Sequence, residues 1–213
     1  MKQGRTLTAF ALGLLCATPA GAQVRSAIAD TSGQNLVPGG FGNLKLTDIA
    51  IQLQFPDVTA RFTPLDESVI RTLSRDSYHS LKDLVDSKRA DIVRLAAQHG
   101  LRKPSLWYGE FYGLAPDARF SPLELTISSA GRDYRAVEVI PMTPGFGEQR
   151  LTLRGRQSAI YLFEDELAVN QDLTVSLGSQ RSTAWGDKIL RAVEQERALI
   201  RSRAAAAGTP PAP

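Results

Sequence analysis

The sequence predicts an α+β fold in which an antiparallel β-sandwich carries one long helical insertion and a C-terminal helix. Three observations predict it. About seven or eight short alternating segments recur at hairpin spacing, residues 64–99 have the apolar spacing of a helix, and helical spacing returns over 183–207. Because only one long helix interrupts the strands, an antiparallel arrangement is favoured over a parallel sheet.

The first 22 residues have the layout of a secretory signal peptide. Lys2 and Arg5 precede an apolar run over 7–17, and small residues end at Ala22, the predicted cleavage site. The run is shorter than the roughly 20 residues that span a bilayer. Cys16 raises the alternative of a lipid anchor, although leucines precede it where a small residue is normally required. We therefore expect export to the periplasm or the medium, with no transmembrane segment in the mature chain.

Removal of the leader changes the charge and the cysteine content. The whole chain has a net charge of +3, and Lys2 and Arg5 supply two of those charges, so the mature chain carries +1. This balance removes the compositional argument for nucleic-acid binding. The only cysteine, Cys16, lies in the leader, so the mature chain has no disulfide, no thiol chemistry and no cysteine-bound metal.

The mature chain begins with a predicted flexible arm over 23–43, which is rich in glycine and small residues. A single domain over 44–207 follows. Alternation over Ile49–Phe55 predicts a strand with one wet face. Leu44 and Leu46 fall on the opposite parity, so we expect a bulge just before this strand.

The helical insertion over 64–99 has clear start and stop signals. Thr63 supplies a capping hydroxyl, a proline follows at the first helical position, and Gly100 ends the pattern. Ser77 and Lys88 interrupt its apolar stripe, which leaves the continuity of the helix open. The stripe can pack within the monomer or against a partner's helix. It consists of Ile70, Leu73, Leu81, Leu84, Ile92 and Leu95.

The remaining strands follow one another closely and resemble immunoglobulin-like sandwiches in their number alone. They are predicted at Leu106–Tyr112, Leu123–Ser128, Tyr134–Ile140, Gln149–Arg154, Ser158–Phe163 and Leu173–Leu177. The C-terminal helix over 183–207 has Trp185 and Val193 on its apolar side. Residues 208–213 form a predicted disordered tail.

Motifs for catalysis and metal binding are absent from the sequence. There is no G-x-S-x-G, H-E-x-x-H or phosphate-binding glycine loop. Asp76, His79 and Asp83 share one face of the predicted helix, but a solvated surface explains that face better than a metal site. Glu164 and Asp165 carry oxygens suited to calcium, yet a polar turn is the simpler interpretation. We therefore predict no metal site, no cofactor and no catalytic residue.

One strand face remains as a candidate binding site. Tyr108, Glu110 and Tyr112 alternate with Trp107 and Phe111, so the two sets point to opposite faces and at least one set belongs to the core. Tyrosine rings on an open sheet face can stack on sugars or anchor a protein partner, and a glutamate between them could serve hydrolysis.

Two functions follow from these observations. The first is an exported, non-enzymatic interaction or structural protein of the cell envelope, such as an accessory subunit that meets another envelope protein through the long helix. The alternative is a carbohydrate-binding module or weak glycosidase that uses the face of Tyr108, Glu110 and Tyr112.

Overall fold

The computed structural model describes residues 36–165 and 167–207. It confirms an α+β fold with antiparallel sheets and a C-terminal helix. The described residues form eleven strands rather than seven or eight. They are β1 Ile51–Gln54, β2 Val58–Pro64, β3 Ser105–Gly113, β4 Ala118–Arg119, β5 Leu125–Ser129, β6 Arg132–Arg135, β7 Glu138–Pro141, β8 Arg150–Leu151, β9 Arg156–Phe163, β10 Leu173–Leu177 and β11 Gln180–Ser182.

The strands pair in three sheets. The largest has the order β1-β2-β3-β9-β7, the second has the order β11-β10-β5-β6, and β4 pairs with β8. All pairings are antiparallel, and β3 lies at the centre of the five-stranded sheet. The extra strands are mostly two to four residues long, which is too short for alternation to distinguish them from loops.

The helices are α1 Leu46–Ile49, α2 Glu67–Ile70, α3 Arg75–Ser87, α4 Arg89–Gln98 and α5 Leu190–Ala206, and a π-helical turn over Trp185–Ile189 precedes α5. The predicted leader with its cleavage site at Ala22, the arm over 23–35 and the tail over 208–213 lie outside the described residues. No helix of the described chain is long and apolar enough to span a membrane.

The predicted helix over 64–99 is divided into α2, α3 and α4. Thr63 and Pro64 belong to β2, and Asp66 caps α2 by accepting a hydrogen bond from the backbone N–H of Ser68 at 2.8 Å. α2 ends at Ile70, and the helix does not continue because the backbone just after it pairs with Leu44: Leu44 N–H donates to the Thr72 carbonyl at 3.2 Å. This pairing depends on a residue distant in sequence, so helical spacing alone could not reveal it.

The apolar stripe of this segment packs within the chain. Ile70, Leu73, Leu81 and Ile92 are between 0 and 3% exposed, and Leu84 and Leu95 pack partly buried against the same core. Of the two arrangements that the sequence left open, the described residues adopt the intramolecular one.

The segment before β1 also differs from the prediction. A helical turn, α1, replaces the expected bulge, because the Asp48 carboxylate accepts a hydrogen bond from the backbone N–H of Lys45 at 2.8 Å and closes the turn. The last part of the predicted arm, residues 36–43, is packed rather than free. Val37 is 2% exposed, and its carbonyl accepts a hydrogen bond from Arg71 at 3.2 Å.

The C-terminal helix is held in place by a large aromatic side chain at its start. Trp185 is fully buried, its ring centroid lies 6.2 Å from that of Trp107 in β3, and its indole N–H donates to the Val169 carbonyl at 3.2 Å. A tryptophan that is both buried and hydrogen-bonded fixes the position of the helix that carries it. This accounts for the docking of α5 despite its charged surface.

Tyr161 is a buried tyrosine whose hydroxyl has no hydrogen-bond partner among the described residues. A buried hydroxyl without a partner costs free energy, so Tyr161→Phe should leave the free energy of unfolding at pH 7 unchanged or raise it by about 1 kcal/mol.

Burial also raises the pKa of the Tyr161 phenol. The unfolded phenol ionises near pH 10 while the folded one stays protonated, so this tyrosine lowers stability as pH rises above about 10.

Urea unfolding of the wild type and Tyr161→Phe at pH 7 and at pH 11 checks both effects. We expect the variant to lose less stability than the wild type between the two pH values. A loss of more than about 1 kcal/mol in the variant at pH 7 would show that the hydroxyl has a stabilising partner.

Candidate functional site

One face of the five-stranded sheet is polar and partly open to solvent. Side chains on neighbouring strands line up across it because the pairing is antiparallel and in register. One row contains Gln54, Thr59, Tyr112 and Arg156, and the adjacent row contains Gln52, Arg61, Glu110 and Ser158. We call these eight side chains the polar face.

The three residues predicted from the sequence share one side of β3, and burial separates them. Tyr112 is 40% exposed, whereas Tyr108 and Glu110 are each 7% exposed. Tyr108 lies opposite Ile160 of β9, which is fully buried, so this tyrosine belongs to the covered half of the sheet. Of the three side chains, Tyr112 is therefore the one that is open to a ligand. The opposing pair, Trp107 and Phe111, is fully buried, as expected for the core.

Glu110 is a buried carboxylate that forms an ion pair with Arg156. The arginine side chain is 61% exposed, so the pair consists of a buried carboxylate and a solvent-exposed guanidinium. Arg61 stands directly opposite Glu110 on β2, yet it forms no ion pair with any described residue. The polar face thus holds two exposed guanidinium groups, that of Arg156, which is neutralised by Glu110, and that of Arg61, which pairs with no carboxylate in the described part of the chain.

Two amide side chains are ordered beside these charges. Gln52 Nε2 donates to Gln54 Oε1 at 3.2 Å, and Thr59 Oγ1 donates to the same oxygen at 3.1 Å. Both glutamines are exposed. This arrangement occupies the carbonyl oxygen of Gln54 and leaves its two amide N–H donors directed elsewhere. The polar face can therefore donate hydrogen bonds to a ligand without rearranging.

Arg61, Arg156 and the two glutamines were not among the residues predicted from the sequence. Alternation shows that Gln52 and Gln54 lie on the wet face of β1, but parity within one strand says nothing about its neighbours. The register of β2 and β9 against β3 places the arginines around Glu110. Non-local register was the missing information.

The other candidates do not converge on a site. Asp76, His79 and Asp83 are exposed on α3, and among the described residues no group of three or more metal-ligating side chains could hold a metal ion. Asp165 accepts hydrogen bonds from the backbone N–H groups of Arg102 and Lys103 at 2.9 and 2.8 Å. Its carboxylate therefore closes a turn.

A groove of about 770 Å³ lies between the helices and the start of β3. Ile70, Val85 and Ile92 contribute apolar walls. Two of its cations are neutralised within the chain, since Arg89 pairs with Asp86 and Arg197 pairs with Glu194. Arg89 also lowers the pKa of Asp86, through a hydrogen bond to its carboxylate. These pairs stabilise the walls of the groove and leave those charges compensated.

No family model matches this chain, and no curated protein or solved structure matches it at a significant level. The functional interpretation therefore rests on the polar face of the five-stranded sheet alone. This face has one exposed aromatic ring, two amides and two guanidinium groups.

Proposed function

We propose that the protein is an exported, non-enzymatic binding protein of the cell envelope and that the polar face is its binding surface. One observation supports the polar face as the binding surface. The five-stranded sheet is buried on one side by large aromatic residues, whereas five of the eight side chains of the polar face on its other side are exposed. The leader-like sequence over 1–22 supports export to the periplasm or medium.

The sheets are best explained as a β-sandwich. The edge strand β1 contacts β11 of the four-stranded sheet, and only residues 136 and 137 separate β6 from β7 at the opposite edge. Buried residues of both sheets belong to one apolar cluster. In this arrangement one side of the five-stranded sheet faces the shared core, and the polar face lies on its outer side.

We place the interaction surface on this face rather than on the helical segment. The apolar stripe that suggested a partner helix is buried against the chain's own core. A second envelope protein that meets this chain would therefore contact polar side chains and the ring of Tyr112. Such a surface fits a reversible interaction better than an obligate one, which is usually more apolar.

Carbohydrate binding is a second candidate, and the combination of an exposed tyrosine with two ordered amides favours it. Hydrolysis is less well supported. Inverting and retaining glycosidases hold two carboxyl groups about 5–9.5 Å apart. Glu138 of β7 lies two strands away from Glu110 and four residues further along the ladder, or about 17 Å at ordinary strand spacings. This separation favours binding without cleavage.

Site-specific photo-crosslinking tests the proposed function. The chain is expressed with its leader in its native host, with p-benzoylphenylalanine replacing either Tyr112 or Leu123. Leu123 is 73% exposed and lies outside the polar face, so it is the matched control. We expect the exported protein to lack residues 1–22 by intact mass and to form a discrete adduct from position 112 but not from 123.

Two results would contradict the proposal. Retention of residues 1–22 in the intact mass would remove the argument for cleaved export. Equal adducts from both positions, or none from position 112, would show that the polar face is not a binding surface.

A further inference from the structure

We propose that the polar face binds a carboxylated polysaccharide, with the Arg61 guanidinium contacting a ligand carboxylate. This inference rests on the proposed function, because it names the ligand class of the same surface. Three features of the face support it: an uncompensated guanidinium at its centre, ordered amides beside that group, and an exposed aromatic ring.

The charge preference comes from Arg61. Its neighbour across the strands, Glu110, has Cβ about 5 Å away by the geometry of an antiparallel pair, so the two could neutralise each other. Glu110 instead pairs with Arg156, and Arg61 remains exposed without an ion pair among the described residues. A guanidinium presents a planar set of donors that matches a carboxylate with two parallel hydrogen bonds.

The preference for a hydroxyl-rich ligand comes from the groups beside Arg61. Gln54 Nε2 keeps its donors available because its carbonyl oxygen already accepts from Gln52 and Thr59. Tyr112, which is 40% exposed, offers a ring on which the apolar face of a sugar can lie. An acidic peptide could use the arginine, but it would not need ordered amide donors next to an aromatic ring.

The shape and the overall charge of the protein fit an extended chain of sugars. The two rows cross four strands, so the face is about 14 Å wide, which exceeds the width of one sugar ring. The mature chain carries a net charge of +1, so general attraction to polyanions is weak. Binding of a polyanion must therefore come from a local group such as Arg61.

Titration of the mature protein, residues 23–213, with oligosaccharides of alginate at physiological ionic strength tests the inference. Dextran serves as the neutral polysaccharide, dextran sulfate as the sulfated one, and poly-L-glutamate as the acidic peptide. We expect saturable binding to alginate that is at least about ten-fold tighter than to the other three. Arg61→Gln should weaken it about ten-fold or more, because the charge-assisted contact is lost.

Two further variants separate geometry from charge. Arg61→Lys keeps the charge but loses the planar pair of donors, so its affinity should fall between those of the wild type and Arg61→Gln. Arg135→Gln removes from β6, in the other large sheet, an exposed arginine that pairs with no described carboxylate, and this variant should bind as the wild type does.

Unchanged alginate affinity in Arg61→Gln would overturn the inference, and so would equally tight binding of poly-L-glutamate or dextran sulfate. No binding to alginate, together with a specific adduct from position 112, would reject the ligand class and retain the proposed function. Failure of both experiments would reject the proposed function as well.

Discussion

Replacement of Gly109 by alanine should destabilise the protein by about 3 kcal/mol or more. A Cβ at this position would lie 2.5 Å from Tyr161 Cε2 and 3.1 Å from Phe62 Cε1. Both rings are fully buried and pack edge to face, with their centroids 5.9 Å apart. Neither ring can therefore move away without opening the core. Urea unfolding should report the loss, together with a fall of about 10 °C in Tm.

Gly147→Ala is the matched control, because a Cβ at that position meets no atom within 4 Å. It should change stability by less than about 0.5 kcal/mol. If crowding against Tyr161 causes the effect at Gly109, the substitution should cost less in a Tyr161→Leu background, which lacks the obstructing ring atom. Similar stabilities for Gly109→Ala and Gly147→Ala would contradict this explanation.

The role of Gly109 illustrates which parts of the fold were accessible from the sequence. Alternation correctly separated Trp107 and Phe111 from Tyr108 and Tyr112, because strand parity is a local property. Alternation gives no information about why glycine stands at position 109. Only glycine fits at position 109 because the ring of Tyr161 lies where a Cβ would stand. Tyr161 belongs to β9 and is more than fifty residues away in the sequence.

The helical segment shows the same division between local and non-local information. Its apolar spacing identified six residues that pack on the core, four of them buried and two of them, Leu84 and Leu95, partly buried. The break between α3 and α4 falls at Lys88, one of the two residues that interrupt the stripe, whereas the break after α2 was not predictable because Leu44 pairs there with the chain on both sides of Leu73. The candidate site follows this rule too: the residues of β3 were found by parity, whereas Arg61 and Arg156 required the strand register.

Replacement of Glu196 by alanine should have the second largest effect, a loss of about 2 kcal/mol. This carboxylate of α5 is 6% exposed, accepts a hydrogen bond from the backbone N–H of Asn43 at 2.9 Å and pairs with Arg203 at 2.7 Å. Arg203 also donates to the Phe41 carbonyl at 2.9 Å. Glu196 therefore joins the C-terminal helix to the segment that enters the fold, and its loss removes the acceptor that the Asn43 N–H and the Arg203 guanidinium share.

Glu194 provides the comparison for this prediction, because it lies on the same helix and also pairs with an arginine, Arg197. Its side chain is 54% exposed, and Arg197 keeps two hydrogen bonds to the Ser68 carbonyl when Glu194 is removed, so Glu194→Ala should cost less than about 1 kcal/mol. Urea unfolding of the two variants, of Arg203→Ala and of the double variant of Glu196 and Arg203 gives the coupling energy between Glu196 and Arg203. Since Arg203 is itself 36% exposed, we expect the backbone contact of Asn43 to account for part of the loss beyond that coupling. Equal stabilities for Glu196→Ala and Glu194→Ala would show that the C-terminal helix is held by Trp185 and its apolar face alone.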